Sequence, residues 1–308
     1  MWDVLIEPLY YPLDPSKRVF WGYCLSSAVI ASLAVAWHAG RLDIAAQLRS
    51  LFNRRYWLTR STAQDLGWMV TNNAIRGLIL VPIIGSHLWL TLHVGRALQA
   101  QLGDAPTWEL PPWTIATSYA LCFFVIEDLS RYALHLGMHR CPWLWRFHRI
   151  HHSARILTPL TLFRVHPVEQ TLYFIRGTVV FGTVSGVFIW LFGRSLNTWD
   201  VLGVGLLGFL FNSLGANLRH SHVWVSFGPL ERFLISPAQH QLHHSVAHGH
   251  ANLGVCLSLW DRLAGTAVPA GEYRALEFGL HPEAGGAQSR SSNERYSRMC
   301  RTADISSP

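Results

Sequence analysis

The histidines carry the chemistry of this sequence. Thirteen of the 17 lie between His135 and His250. They are ordered as well as dense. His135 and His139 form HxxxH, while His148, His151 and His152 form HxxHH. His240, His243 and His244 form a second HxxHH. On a helix, residues three and four apart share a face, so each box aims two or three imidazoles in one direction. Neutral imidazole is a ligand for zinc, copper, iron and nickel. A single catalytic zinc takes three protein ligands and an open position. The eight imidazoles of the three boxes exceed that, which implies two metals. HExxH is absent, because Leu136 follows His135 and Arg149 follows His148. That argues against a zincin-type protease. Two redox metals held by many His beside a membrane suggest oxygen activation for attack on an aliphatic C–H bond.

The elements that must position these boxes are apolar. Half of the 308 residues are hydrophobic and 14% are charged, against about 25% in soluble domains. The net charge is +7, but the basic residues form no Lys/Arg stripe, so nucleic acid is not an expected partner. The five Cys are scattered, with no CxxC pair, which excludes a thiolate zinc knuckle and a redox dithiol. Val19 to Ala39 is 21 residues without a charge, enough to cross a bilayer. It lacks a small-residue cleavage site and reads as a retained helix rather than a signal peptide. Further apolar runs cover 66–94, where Pro82 predicts a kink, then 113–126, 172–192 and 201–218. Gly203, Gly205, Gly208 and Gly215 in the last predict close helix packing in lipid.

Arginine places the sides. Segment 40–65 carries five Arg and segment 131–170 carries six, whereas loops 95–112 and 193–200 carry one each. The positive-inside rule therefore sets 40–65, 131–170 and 219–308 on the cytoplasmic side. Five crossings then put the N-terminus outside, with Lys17 and Arg18 on the unfavoured face. From about Pro269 the sequence turns polar and small and reads as a mobile tail.

The stretch from Asp128 to Thr266 resembles the fatty acid hydroxylase/sterol desaturase superfamily of integral-membrane di-iron enzymes. The residues that carry the resemblance begin with His135-x3-His139 and Trp145-Arg-Phe-His148-Arg-Ile-His151-His152-Ser153. Arg164-Val-His166-Pro167-Val-Glu169 and Pro229-Leu230-Glu231-Arg232 follow. Pro237-Ala-Gln-His240-Gln-Leu-His243-His244-Ser245, Asn252-Leu-Gly254 and Trp260-Asp261-Arg262-Leu263-Ala-Gly265-Thr266 complete the set. Leu253 and Ala264 stand where aromatics are common in the family. The resemblance implies an all-α integral membrane fold of about four to five transmembrane helices under a cytosolic helical cap. It divides the chain into an N-terminal transmembrane region (1–127), a catalytic region (128–268) with a hairpin at about 172–218, and a tail (269–308).

The same resemblance implies two non-heme iron ions as cofactors and O2 as cosubstrate. Their ligands would be His135, His139, His148, His151, His152, His240, His243 and His244, with His220 as a ninth. His166, His222 and His248 are further candidates for ligation or support. A ligating His donates its other N–H to a carboxylate or carbonyl, and Asp128, Glu169 and Asp261 are the candidates. Asp128 has a second reading, as an interface charge paired with Arg131. Arg146, Arg149 and Arg164 are read as part of the positive-inside bias.

The reaction implied is removal of hydrogen from an unactivated C–H bond of a membrane lipid. Return of oxygen gives a hydroxylated lipid, the favoured outcome. Loss of a second hydrogen gives a double bond, and ether-lipid cleavage is a third outcome of the same boxes. No CxxCH, GxGxxG or iron–sulfur Cys cluster is present, so the electron donor is expected to be a separate ferredoxin or cytochrome/reductase chain. The competing class is a His-rich membrane protein that binds or transports metal. A transport site would lie near the bilayer midplane within broken helices, whereas these boxes lie outside the apolar runs.

Overall fold

The computed structural model describes residues 2–104, 110–192, 198–273 and 275–280. Helix α1 (Trp2–Tyr10) and α2 (Trp21–Ala39) open the chain, before the short α3 (Ile44–Leu51) and α4 (Arg54–Trp57). Helix α5 (Arg60–Ile75) continues through a π-helical turn at Arg76–Leu80 into α6 (Val81–Ile84) and then α7 (His87–Leu102). The others are α8 (Pro112–Arg140), α9 (Pro142–His152), α10 (Pro167–Phe192), α11 (Thr198–Ser213), α12 (Pro237–His244) and α13 (Leu259–Ala264). The described residues form no sheet.

Proline starts every helix that carries a histidine box. Pro112, Pro142 and Pro237 open α8, α9 and α12. Its fixed φ suits the first helical position, and it has no N–H to leave unpaired. Helix α12 adds a capping box. Ser236 Oγ accepts the Gln239 N–H at 3.1 Å, and the Ser236 N–H donates to Gln239 Oε1 at 3.1 Å. Eight residues are thereby fixed as a helix that presents three imidazoles.

Among the described residues, three helical runs are long and apolar enough to cross a membrane: Trp21–Ala39, Arg60–Leu102 and Pro167–Phe192. The second is interrupted where expected. Pro82 cannot donate back along the helix; the π turn precedes it and Gly85, at φ 81°, follows. Helices α5–α7 and α10 run side by side away from the histidine end. Gln170 Nε2 donates to the Asn72 carbonyl at 2.7 Å near their start, and Trp190 Nε1 to the Gly103 carbonyl at 3.1 Å at the far end. Helix α8 returns against α10, where the Tyr119 and Ser185 hydroxyls meet at 2.8 Å. Helix α11 returns beside α8.

Both flanks of helix α2 touch the histidine end. Before it, the Arg18 carbonyl accepts from Asn217 Nδ2 at 3.0 Å, at the histidine end. After it, the Tyr56 hydroxyl donates to the Leu157 carbonyl at 2.6 Å, also at the histidine end. Helix α2 is nonetheless one of the runs long and apolar enough to cross, and Lys17 and Arg18 lie just before it.

Of the glycines expected to pack closely, Gly215 does: a Cβ built on it would lie 3.6 Å from Ile30 of α2. Nothing lies within 4 Å of a Cβ built on Gly205 or Gly208, and the side-chain surroundings of Gly203 lie outside the described residues. At Gly182 of α10 that atom would come 2.7 Å from Leu90 Cβ, and at Gly186 2.7 Å from the Thr91 carbonyl. Between apolar helices there is no hydrophobic drive, so small residues that let backbones approach supply the contact.

The expected tail is also shorter. Ala270 is buried against Trp224, Ala238 and Leu242, and its N–H donates to Glu231 Oε2 at 2.9 Å. Burying a side chain such as Leu242 in this cap stabilises by about 1.5–3 kcal/mol. Residues 281–308, and His281 with them, lie outside the described residues.

Candidate metal centre

Helices α8, α9 and α12 converge with the 3-10 turn Ala216–His220 at one end of the long helices. They bring nine imidazoles together in two groups. His135, His139, His148, His152 and His243 form one; His151, His220, His240 and His244 form the other. Within each group one nitrogen from every ring lies within 4.8 Å of all the rest. The i, i+3, i+4 spacing of α9 is split between them, His148 and His152 facing the first group and His151 the second. The His152 and His244 rings stack at 4.7 Å across the divide.

Outward nitrogens are anchored so that inward ones are free. His135 Nδ1 donates to the Leu253 carbonyl at 2.7 Å, and His243 Nδ1 to the Ala251 carbonyl at 2.9 Å. His148 Nδ1 pairs with Glu169 Oε1 at 2.9 Å, and His151 Nδ1 with the Arg164 carbonyl at 3.2 Å. Such partners fix the ring and the tautomer.

The inward nitrogens fit a cation. Nε2 of His220, His240 and His244 lie 3.0, 3.2 and 3.2 Å from one another. A metal ion ~2.1 Å from each, at right angles, holds such nitrogens ~3.0 Å apart. In the other group both nitrogens of His139 and Nε2 of His152 and His243 are buried without a hydrogen-bond partner. Each such atom costs about 1–3 kcal/mol if left unsatisfied, and here one nitrogen of each of these rings lies within 4.8 Å of the others. The rings are also neutral. Burial pushes His148 and His151 down to about 3. Burial first, and neighbouring imidazoles second, hold His152, His220, His240, His243 and His244 well below the ordinary 6.5. Their lone pairs are free at neutral pH.

The other residues singled out in the sequence fall elsewhere. Glu169 touches His148 directly. Asp261 acts one step back, accepting the Leu253 and Gly254 N–H groups at 2.8 and 2.7 Å and so holding the carbonyl that anchors His135. Asp128 touches no imidazole and does not pair with Arg131, which binds Glu127 instead. Its carboxylate accepts the Cys256 and Leu257 N–H groups and Trp260 Nε1 at 2.9–3.0 Å. His166 joins neither group; its Nδ1 accepts the Val168 N–H at 3.1 Å at the start of α10. His222 packs on Tyr56, and His248 meets Ser245 Oγ at 3.3 Å. His250 has its ring 5.8 Å from that of His139.

Arg164 is not merely a basic residue of that side. It is 2% exposed, and its Nε donates to Asp65 Oδ1 at 2.6 Å. Asp65 is fully buried and also accepts from Thr161 Oγ1 at 3.1 Å. Sequence reasoning left Asp65 in a polar linker, because nothing local ties it to an arginine 99 residues away.

Comparison with known proteins agrees with this geometry. The fatty acid hydroxylase family model matches residues 120–266, which contain all nine imidazoles. An ornithine lipid hydroxylase of Rhizobium tropici is 30% identical over 159 residues, 50% of this chain and 43% of that protein. An alkylglycerol monooxygenase of Danio rerio is 28% identical over 177 residues, 56% of this chain and 35% of that protein. A very-long-chain aldehyde decarbonylase of Oryza sativa is 26% identical over 257 residues, 81% of this chain and 91% of that protein. The chain spans less than half the length of the hydroxylase and the monooxygenase. No solved structure matches the chain. Residues 120–266 thus form a fatty acid hydroxylase domain, as the resemblance implied.

Proposed function

We propose that the protein is a membrane-embedded, non-heme di-iron oxygenase that hydroxylates an aliphatic C–H bond of a lipid. The observation that carries this reading is the pairing of a five-imidazole and a four-imidazole group, side by side at one end of apolar helices. The lipid-acting relatives support a lipid substrate.

In this reading His135, His139, His148, His152 and His243 hold one iron, and His151, His220, His240 and His244 the other. Bound iron supplies the activation of O2 and the oxidising power for the C–H bond. The chain's own residues do the positioning. The Leu253 and Ala251 carbonyls and Glu169 turn three rings of the first group inward. Burial keeps the imidazoles neutral and keeps bulk water away. The region 128–268 acts as the catalytic unit, on the cytoplasmic side, and electrons come from a separate ferredoxin or cytochrome/reductase chain.

Metal analysis of purified protein and lipid mass spectrometry of cells with and without it test the reading. About two irons per chain are expected, with a lipid product heavier by one oxygen. His151→Ala and His243→Ala should abolish that product. Intact turnover in either variant overturns the di-iron assignment. Loss of two hydrogens instead identifies a desaturase. Vesicle uptake of metal without oxygen consumption identifies a transporter.

A further inference from the structure

A groove opens where α8 and α11 meet the cap. Its volume is about 340 Å³, within the range of small-molecule sites. Phe123, Phe124, Leu207 and Phe211 form its apolar wall, and Arg18 and Arg131 stand in it on the cap side. The groove is thus apolar toward the helices and cationic where they end.

The charges around it do not balance. Glu127 is shared by two arginines: Arg131 Nη2 at 2.7 Å and Arg176 Nη1 at 2.7 Å. Asp128 is taken up by the two N–H groups and the indole described above. Arg219 is buried, donates Nη2 to the Ile235 carbonyl at 2.9 Å and lies over Phe211. Arg18 lies over the same ring, 5.3 Å from its centroid, and its guanidinium has no hydrogen-bond acceptor among the described residues. Four guanidinium groups therefore face two carboxylates. Burial, with Arg219 and Arg131 nearby, pushes Arg18 down to about 9, the sense expected of a cation that lacks its anion. A guanidinium fork matches phosphate or carboxylate oxygens.

We propose that this groove docks the anionic headgroup of a lipid, with Arg18 as the group that selects it and the acyl chain lying along α8 and α11. The headgroup carries phosphate or carboxylate oxygens, and the apolar wall favours a lipid over a free anion. The proposal rests on the reading above that the chain lies in a membrane and acts on lipid. Asp128 lines the same groove, and His135 lies seven residues along α8 on nearly the same face, ~10 Å away by helical rise. A lipid held here lies beside the metal end of the helix.

Native mass spectrometry of the full chain in detergent tests it, with phosphatidylglycerol and diacylglycerol of identical chains as probes. The metal-loaded protein should retain phosphatidylglycerol at least ~10-fold better, as one charge-assisted contact allows. Arg18→Gln should erase the preference and Arg18→Lys restore part of it, with metal content unchanged in both. Gly208→Leu, which fills open space in the groove, should lower retention of both lipids. A preference that survives Arg18→Gln, or that is absent from the native protein, overturns the proposal. Competition by millimolar inorganic phosphate would make this a free-anion site and overturn the lipid assignment. Protein that keeps the preference but takes up no iron when iron is supplied counts against the oxygenase reading alone. Metal-loaded protein without the preference counts against this proposal alone.

Discussion

The five-imidazole group is tethered by a glutamate and a backbone loop, whereas the four-imidazole group has one anchored ring. In the first, Ala251 and Leu253 present carbonyls to His243 and His135. Asn252 between them sits at φ 53°, accepts the Val268 N–H at 2.8 Å and donates to the Gln239 carbonyl at 3.2 Å. Asp261 holds the next two N–H groups. In the second, only His151 has its outer nitrogen on a carbonyl, that of Arg164. His240 is half-buried and its Nδ1 has no partner. One group has three rings anchored; in the other the anchor is the carbonyl of Arg164, whose side chain pairs with Asp65. If each group holds a metal, the difference teaches that the two need not be lost together.

Breaking that pair gives the largest effect. Asp65→Ala leaves a buried guanidinium without its carboxylate, a loss of about 3–5 kcal/mol in comparable pairs. The damage should be uneven. The Arg164 carbonyl serves His151 only, so metal in the four-imidazole group should fall first. Denaturation in detergent together with metal analysis reads both effects. Equal loss of the two metals at a given destabilisation would erase the distinction between the centres.

The converse variant sharpens it. Glu169→Ala removes the acceptor for His148 Nδ1 and spares the four-imidazole group. Removing such an outer partner typically weakens metal binding ~10–100-fold. Titration with a chelator should therefore strip the five-imidazole group first in this variant and the four-imidazole group first in the native protein. Glu169→Gln, which keeps an acceptor oxygen, should recover much of the affinity. An unchanged order of release would show that the anchor does not set it.

What the sequence displayed and what it hid follow the same division. Eight of the nine imidazoles were legible because box spacing is local: three and four residues on a helix is geometry that a sequence prints. His220 stands in no box and came from the family resemblance alone. The helix starts at Pro142 and at Ser236 with Gln239 carry equally local signals, which the sequence reading did not use. Supports that act over long separations were not legible. Asp128 was read against Arg131, three residues on, while its partners lie at 256–260. Asp65 offered no local signal for Arg164. The ties from the flanks of α2 to the histidine end were equally hidden, because Arg18 meets Asn217 and Tyr56 meets Leu157 across 199 and 101 residues.

Acid sets the two centres a last and gentler test, free of mutation. In the metal-free unfolded chain the imidazoles take up protons near 6.5. In the folded cap they do not, since burial holds His148 and His151 at about 3 and the others well below the usual value. Below about pH 6.5 the unfolded state therefore binds more protons, and stability falls as pH falls. Each such ring contributes at most about 1.4 kcal/mol per pH unit across that window, and nothing above it. Metal release should then coincide with loss of helix rather than precede it, because the native rings stay neutral until the fold gives way. Circular dichroism and metal analysis on one acid titration compare the two directly. Release of about half the metal near pH 6 from a folded protein would mean that the half-buried His240 admits a proton. It would then be the four-imidazole group that opens first.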